Sequence, residues 1–386
     1  ILINVYGGLG LMKICMLTSG HSAVDSRIFY KEAMSLRKIY DDVVVIGHYD
    51  EGICCKDGIK IRGYKSGKSL KERYNFLNKL IDIAVEEKAD VYHFHDFELV
   101  LRIMKIKKKL PNAKLIYDVH EYYPEMVTMS KNIPSILKPF GAFYVKHKED
   151  KVAKNMDYII TTDDYNKERF SKINKNVEVV YNFSDFKLKE EPDKELSKEY
   201  DVIYQGGISV ERGAINLVKA IHIASKKIKN IKMIFVGSFD DEETQNSISL
   251  YISQNGLEDN IKYLGRVSHI EVEDYIRKSK IGMVAFLPYP RYAKNIPIKQ
   301  FEYMSCGVPV IGSEMPSVKR FITAYNSGLT VDSSSPEEIA KAIVKLLENP
   351  DLCSELGQNG IKAVKEEYNW GNMEERLQNI YKSLSI

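Results

Sequence analysis

The chain lacks any uninterrupted run of about eighteen apolar residues, so no membrane-spanning helix is expected. Cysteine is scarce: five residues, at positions 15, 54, 55, 306 and 353, are an odd number without metal-ligand spacing. Thiols scattered in this way exclude a disulfide scaffold and suit a reducing cytoplasm. Excess charge of one sign is also missing. A net charge of +3 gives no ground for nucleic-acid binding, and any basic surface must be local. Short repeats and low-complexity tracts are absent from the sequence. The first eleven residues, ILINVYGGLGL, are apolar but have neither the basic start nor the cleavage site of a signal peptide. Translation is expected to begin at Met12, with Tyr6-Gly7-Gly8 a ribosome-binding sequence read as codons.

What is present is an ordinary globular composition, 44% hydrophobic and 28% charged, over 386 residues, more than one core usually supports. Short apolar runs alternate with longer periodic ones. Strands are expected at 13–18, 43–47, 59–63, 91–95, 114–119, 158–162 and 177–181, with helices at 26–39, 70–87 and 97–110. A second series follows, with strands at 202–205, 232–237, 261–264, 281–285, 308–311 and 328–331. Its helices fall at 214–227, 242–254, 271–278, 336–347, 352–367 and 370–384. Alternation of this kind implies βαβ units and mostly parallel sheets. The expected division is a Rossmann-like domain at 12–182, a polar linker at 183–200, a second Rossmann-like domain at 201–368, and a crossover helix at 369–386. Ligands of such sheets bind where strands end, at switch points of strand order.

The most informative stretch is NIPIKQFEYMSCGVPVIGSEMP, Asn295 to Pro316. Pro297 suits a helix start, and Ile298, Phe301 and Met304 mark one apolar face. Gly307 can end that helix in a left-handed conformation, and Val308–Ile311 reads as a buried parallel strand. One carboxylate, Glu302, stands on the helix, after a loop from Phe286 to Asn295 rich in Pro, Tyr, Arg and Lys. Glu302 is read as a ligand group or as a solvated helix carboxylate.

This stretch resembles the nucleotide-sugar signature of retaining glycosyltransferases with two Rossmann-like domains facing a cleft, the GT-B fold, specifically glycosyltransferase family 4. The likeness extends over the whole chain from Met12. It implies that Glu302 accepts hydrogen bonds from the donor ribose, and that Asn295 and Lys299 line the donor site. The family's first glutamate falls on Lys294, a departure from the pattern.

Gln205-Gly206-Gly207 through Arg212-Gly213 follows a strand and opens a helix, a place where backbone can approach a pyrophosphate. Arg212 stands where the family usually has lysine, while the partner arginine falls on Gly207; Lys299, Arg291 or Lys294 is left to supply the second charge. Gly265-Arg266 resembles the segment lying along the nucleotide base. Ser313 reads equally as a phosphate ligand or a helix cap. In the first half, Asp25, Arg27, Ile28 and Phe29 match a loop of related bacterial enzymes, and Ser19, Gly20, Asp25 and Arg27 are taken as acceptor-side residues; Asp25 reads equally as the cap of its own helix. His93, His95, Asp96, Asp118, His120 and Glu121 gather at two adjacent strand ends. Read from residue types alone, this is a metal site and a hydrolase. The resemblance instead implies no metal cofactor, with His120 near the donor sugar and acceptor, and His95 and Asp96 on the acceptor side.

The function implied is retaining transfer of a sugar, hexosyltransferase in type, from a UDP-linked donor to a saccharide or lipid-linked acceptor. The leaving phosphate helps to deprotonate the acceptor, and catalytic roles fall to His120, Arg212 and Lys299. Surface-polysaccharide synthesis in a bacterial cytoplasm is the implied setting. A basic, aromatic stretch from Lys131 to Lys154 is read as a helix with a wet face or as a peripheral membrane contact. Two rival readings are a GT-B epimerase or hydrolase and a silent nucleotide-sugar-binding subunit.

Overall fold

The structure, a computed structural model, describes residues 12–65, 67, 69–130, 132–186 and 197–384. The suspected leader 1–11, Lys131, and linker residues 187–196 lie outside the described residues, as does the Arg291 side chain. The chain divides into two compact units. One runs to Asn182 and takes up the C-terminal helix from Trp370; the other is Phe183–Asn369.

In the first unit the described strands are β1 (Lys13–Ser22), β2 (Asp42–His48), β3 (Gly52–Lys56), β4 (Ile59–Tyr64), β5 (Val91–Phe94), β6 (Lys114–Val119), β7 (Tyr158–Thr161) and β8 (Val177–Val179). They form one sheet in the order β3-β4-β2-β1-β5-β6-β7-β8, parallel except for β3 against β4. The apolar runs of β1, β2, β5 and β6 are central strands covered on both faces, which is why they read as continuous rather than alternating. β3 was not expected. Its signal was Asp57-Gly58, whose φ values of 50° and 76° make the tight hairpin turn that such a dipeptide favours.

The second unit has β9 (Tyr200–Gln205), β10 (Met233–Val236), β11 (Ile261–Gly265), β12 (Ser279–Val284), β13 (Val310–Ser313) and β14 (Gly328–Val331), ordered β11-β10-β9-β12-β13-β14. All described pairings here are parallel. This is the doubly wound order whose direction reverses between β9 and β12. In the first unit the same reversal falls between β1 and β5. Phe183, expected in a polar linker, is buried among Phe301, Phe321 and Tyr368 of the second unit.

Three local expectations change. β1 continues through Ser22, so Ser19 and Gly20 are strand residues rather than loop. The expected helix at 26–39 opens as a wide π-turn, Ile28–Ala33, in which Glu32 N donates to Arg27 O over five residues. The helix carrying Glu302, Lys299–Ser305, is buried on every side, not on one face, because it lies inside the unit. Among the described residues no helix is long and apolar enough to cross a membrane.

The C-terminal helix Trp370–Ser383 is tied into the first unit. Trp370 Nε1 donates to Ser35 Oγ at 3.0 Å, Glu374 accepts from Ser35 and Lys38, and Tyr381 OH lies 2.9 Å from His93 Nδ1. Trp370→Ala is expected to cost about 3–5 kcal/mol. Hydrogen exchange should show the loss in β1 and β5 rather than in β9 and β12; an unchanged unfolding midpoint would contradict this packing.

Candidate functional site

In the second unit, β9 delivers Gln205 to its carboxyl end, and the chain turns at Gly206 with φ +105°, a conformation that favours glycine. A Cβ on Gly206 would stand 3.3 Å from Lys299 Nζ. On Gly207 it would meet Asp240 Oδ1 at 2.8 Å and Arg212 Nη1 at 3.1 Å. The two glycines thus leave bare backbone beneath two cations. Lys299, first residue of its helix, is buried, and its ammonium sits 3.8 Å from the centre of the Tyr204 ring with no hydrogen-bond partner. Burial drives its pKa well below that of an ordinary lysine, and repulsion from Arg212 adds to this; Glu302 and Asp240 oppose it. Arg212 Nε is likewise without a hydrogen-bond partner.

Glu302 follows Lys299 by one helical turn and accepts a hydrogen bond from Gln205 Nε2. The Gln205 backbone N–H is held by Tyr303 OH at 3.1 Å. Gln205 had no assigned side-chain role in the sequence, although its place directly before the glycine pair marked it. Arg212, Lys299, Glu302, Gly206 and Gly207 therefore converge on one strand end. Ser313, closing β13, keeps a buried hydroxyl without a hydrogen-bond partner. Gly265 takes φ +76° with open space where a side chain would be, and Arg266 beside it is exposed. The loop before Asn295 contains a short helix, Pro290–Lys294, so Lys294 ends a helix and Asn295 begins the turn after it.

The first unit gathers a second polar cluster at the ends of β1, β5 and β6. Asp96 is buried and accepts from Thr18 Oγ1 at 2.7 Å, Ser19 N at 2.6 Å and Gly20 N at 3.1 Å. Burial would raise its pKa, but His21 and these donors hold it below the ordinary value. Ser19 Oγ donates to Glu98 at 2.9 Å. Asp25 accepts from the N–H groups of Arg27 and Ile28, the capping alternative, and so organises the turn. Arg27 is placed differently from expectation. It is buried, with its guanidinium committed to Asp118, Glu32 and the Val180 carbonyl. The π-turn explains this, since it stacks residues five apart and brings Glu32 over Arg27.

His95 is also buried, 3.4 Å from Asp118 Oδ2 and from His120 Nε2, so it supports the rim from beneath. Burial lowers the pKa of both His93 and His95. His120 alone of these three reaches the surface, its Nε2 3.0 Å from Asp118 Oδ2. Glu32 is pushed well above the carboxylate range by burial, whereas Arg27 and His120 hold Asp118 well below it. Glu32, His93, His95 and Asp118 offer ligand atoms within 4.8 Å of one another, as a metal would require. Arg27, however, lies 2.8 Å from Glu32 and 3.1 Å from Asp118, so a resident cation already meets both carboxylates.

A doubly wound sheet with paired cations over bare glycine backbone at its switch point is built to hold an anionic ligand. Residues 185–363 match the model of glycosyl transferases group 1, and residues 29–188 match that of Glycosyltransferase Family 4. Together with the fold, these make the chain a glycosyltransferase of the GT-B type with a group 1 domain. An uncharacterized glycosyltransferase of Methanocaldococcus jannaschii is 24% identical over 80% of this chain and 87% of its own length. The capsular polysaccharide biosynthesis glycosyltransferase CapM of Staphylococcus aureus is 26% identical over 50% of this chain and 49% of its own. Sucrose-phosphate synthase of Thermosynechococcus elongatus shares the fold with a TM-score of 0.74, at 15% identity over 96% of this chain and 99% of its own. HepE of Anabaena, solved with UDP-glucose, gives 0.73 at 16% identity over 97% and 100%.

Proposed function

We propose that this glycosyltransferase is a retaining, family 4 enzyme that moves a sugar from a UDP-linked donor to a hydroxyl of a saccharide or lipid-linked saccharide. The observation that carries this is the buried Lys299 ammonium, without a hydrogen-bond partner beside Arg212 and above the Gly206–Gly207 backbone. An unpaired buried cation is costly unless an anion completes it, and a diphosphate carries the matching charge. Arg212 and Lys299 stabilise charge on the departing diphosphate, with Lys299 replacing the arginine that the family pattern would place at Gly207. Glu302, steadied by Gln205, accepts from the ribose; Gly265 and Arg266 border the base, with Asn295 near the sugar.

In the first unit the rim of His120, Ser19 and Gly20 receives the acceptor. Nε2 of His120 is fixed by Asp118, which leaves Nδ1 to meet a ligand. Asp96 and Asp118 are engaged by hydrogen bonds and Arg27, which disfavours a hydrolase with either as a free base. Transfer then needs no carboxylate nucleophile and no bound metal. UDP-glucose bound in the HepE structure and the capsular polysaccharide role in the name of CapM support a UDP donor and a part in polysaccharide assembly.

A thermal-shift screen tests the donor. UDP and UDP-sugars should stabilise the protein, by about 2.7 kcal/mol at a hundredfold excess over Kd. The anion favours protonated Lys299, whose pKa is depressed in the free protein, so affinity should be highest at lower pH. It should fall as pH rises past that depressed value. Stabilisation by no nucleoside diphosphate sugar would overturn the assignment.

A further inference from the structure

The helix Lys138–Ala153 of the first unit is anchored from one side only. Its buried Glu149 accepts from Tyr117 OH at 2.8 Å and pairs with Arg169 at 2.6 Å, and Ala153 is buried beside it. The opposite side is apolar and uncovered: Phe140 is 70% exposed and Phe143 72%, with Tyr144 about half exposed, and the 3-10 turn Ser135–Leu137 just before the helix adds Ile136, 79% exposed, and Leu137. Spacings of three and four residues put this stripe on one face. A neighbouring helix, Tyr123–Met129, packs closely enough that a Cβ on Gly141 would stand 2.9 Å from Val127, and it adds exposed Met126 and Met129. Contiguous exposure of this size marks an interaction surface.

Charge selects the occupant. Lys138, Lys148, Lys151 and Lys154 lie on the same helix and its end. The acids of the helix leave these four lysines uncancelled, because Glu149 is buried on Arg169 and Asp150 is taken up by Arg169 and Lys146. We propose that this helix docks the protein on an anionic lipid surface, with Phe140 and Phe143 entering the headgroup boundary and the lysines meeting lipid phosphates. A second copy of the chain would oppose lysine to lysine across the same face, which disfavours self-association. The helix Tyr123–Met129 begins three residues after His120, so docking would bring the polar rim of this unit near the lipid surface. The inference itself does not depend on the donor site.

Sedimentation of the full chain with vesicles tests it. The protein should pellet with equimolar phosphatidylglycerol and phosphatidylcholine, stay in solution with phosphatidylcholine alone, and be released by salt. F140S/F143S should weaken partitioning at least tenfold, while its unfolding midpoint and its stabilisation by UDP stay at the parent values. K148Q/K151Q should weaken it about fivefold per lysine, the equivalent of about 1 kcal/mol each. Equal pelleting with both vesicle types, no pelleting of the parent, or a variant that pellets like the parent would each overturn the proposal. So would a dimer, seen by light scattering, that F140S/F143S abolishes.

Discussion

Arg212→Ala is expected to slow sugar transfer by a factor of about 10²–10³, the loss typical of one preorganised donor to a developing negative charge. Its guanidinium lies beside bare glycine backbone at the end of β9, and Asp240 and Tyr292 hold it there in the absence of ligand. Lys299→Met should give a loss of similar size with a contrasting effect on the fold. Removing a buried ammonium that lacks a hydrogen-bond partner should raise stability by about 1–3 kcal/mol. The same change should abolish stabilisation by UDP. The pH dependence of stability has a defined sign. The folded pKa of Lys299 lies below its unfolded value of 10.5, so its charging penalty is complete below the folded pKa and fades as pH rises from there to 10.5. That gain should vanish in Lys299→Met. Normal turnover in Arg212→Ala, measured with saturating donor, would remove the clamp from the mechanism.

Arg27→Met is the second large effect, and it falls on the fold before it falls on activity. The guanidinium is buried between Asp118 and Glu32, and deleting one partner of such a network costs about 3–5 kcal/mol. Asp118 bears most of the loss, since Arg27 is the strongest influence holding it ionised against burial. Its contribution in the parent is complete above the ordinary value of 3.8 and lost as pH falls through its lower folded value. Glu32 acts in the opposite sense. Its raised pKa favours the folded state at low pH, and that advantage fades as pH climbs from 4.5 through the folded value. Glu32→Gln, which removes only the ionisation, should therefore cost little by comparison. Urea unfolding of both variants at pH 5 and 7 checks this, and an Arg27→Met protein as stable as the parent would show that the network is not structural.

Much of this architecture is legible in the sequence, for identifiable reasons. Central parallel strands such as β1 and β6 are covered on both faces and announce themselves as unbroken apolar runs. Gly307, with φ +66°, ends its helix where a side chain would be strained. The convergence of Glu302 with the glycine pair followed from the rule that strand ends meet at a switch point. What was not legible depended on contacts distant in the chain. Nothing in Asp25 to Ala33 foretells a π-turn, yet that turn withdraws Arg27 from any ligand and gives it to Asp118. Lys299 has the same letter as any surface lysine, and only its burial over Tyr204 singles it out. Gln205 became a site residue through Tyr303, almost a hundred positions away.

The first unit is completed by the helix Trp370–Ser383, after an entire second unit has been made. A nascent polypeptide leaving the ribosome must therefore wait until that helix emerges before Ser35 and His93 can meet Trp370 and Tyr381. Until then the half made earlier remains unfinished, and a substitution in Trp370–Ser383 would disturb a unit synthesised long before it.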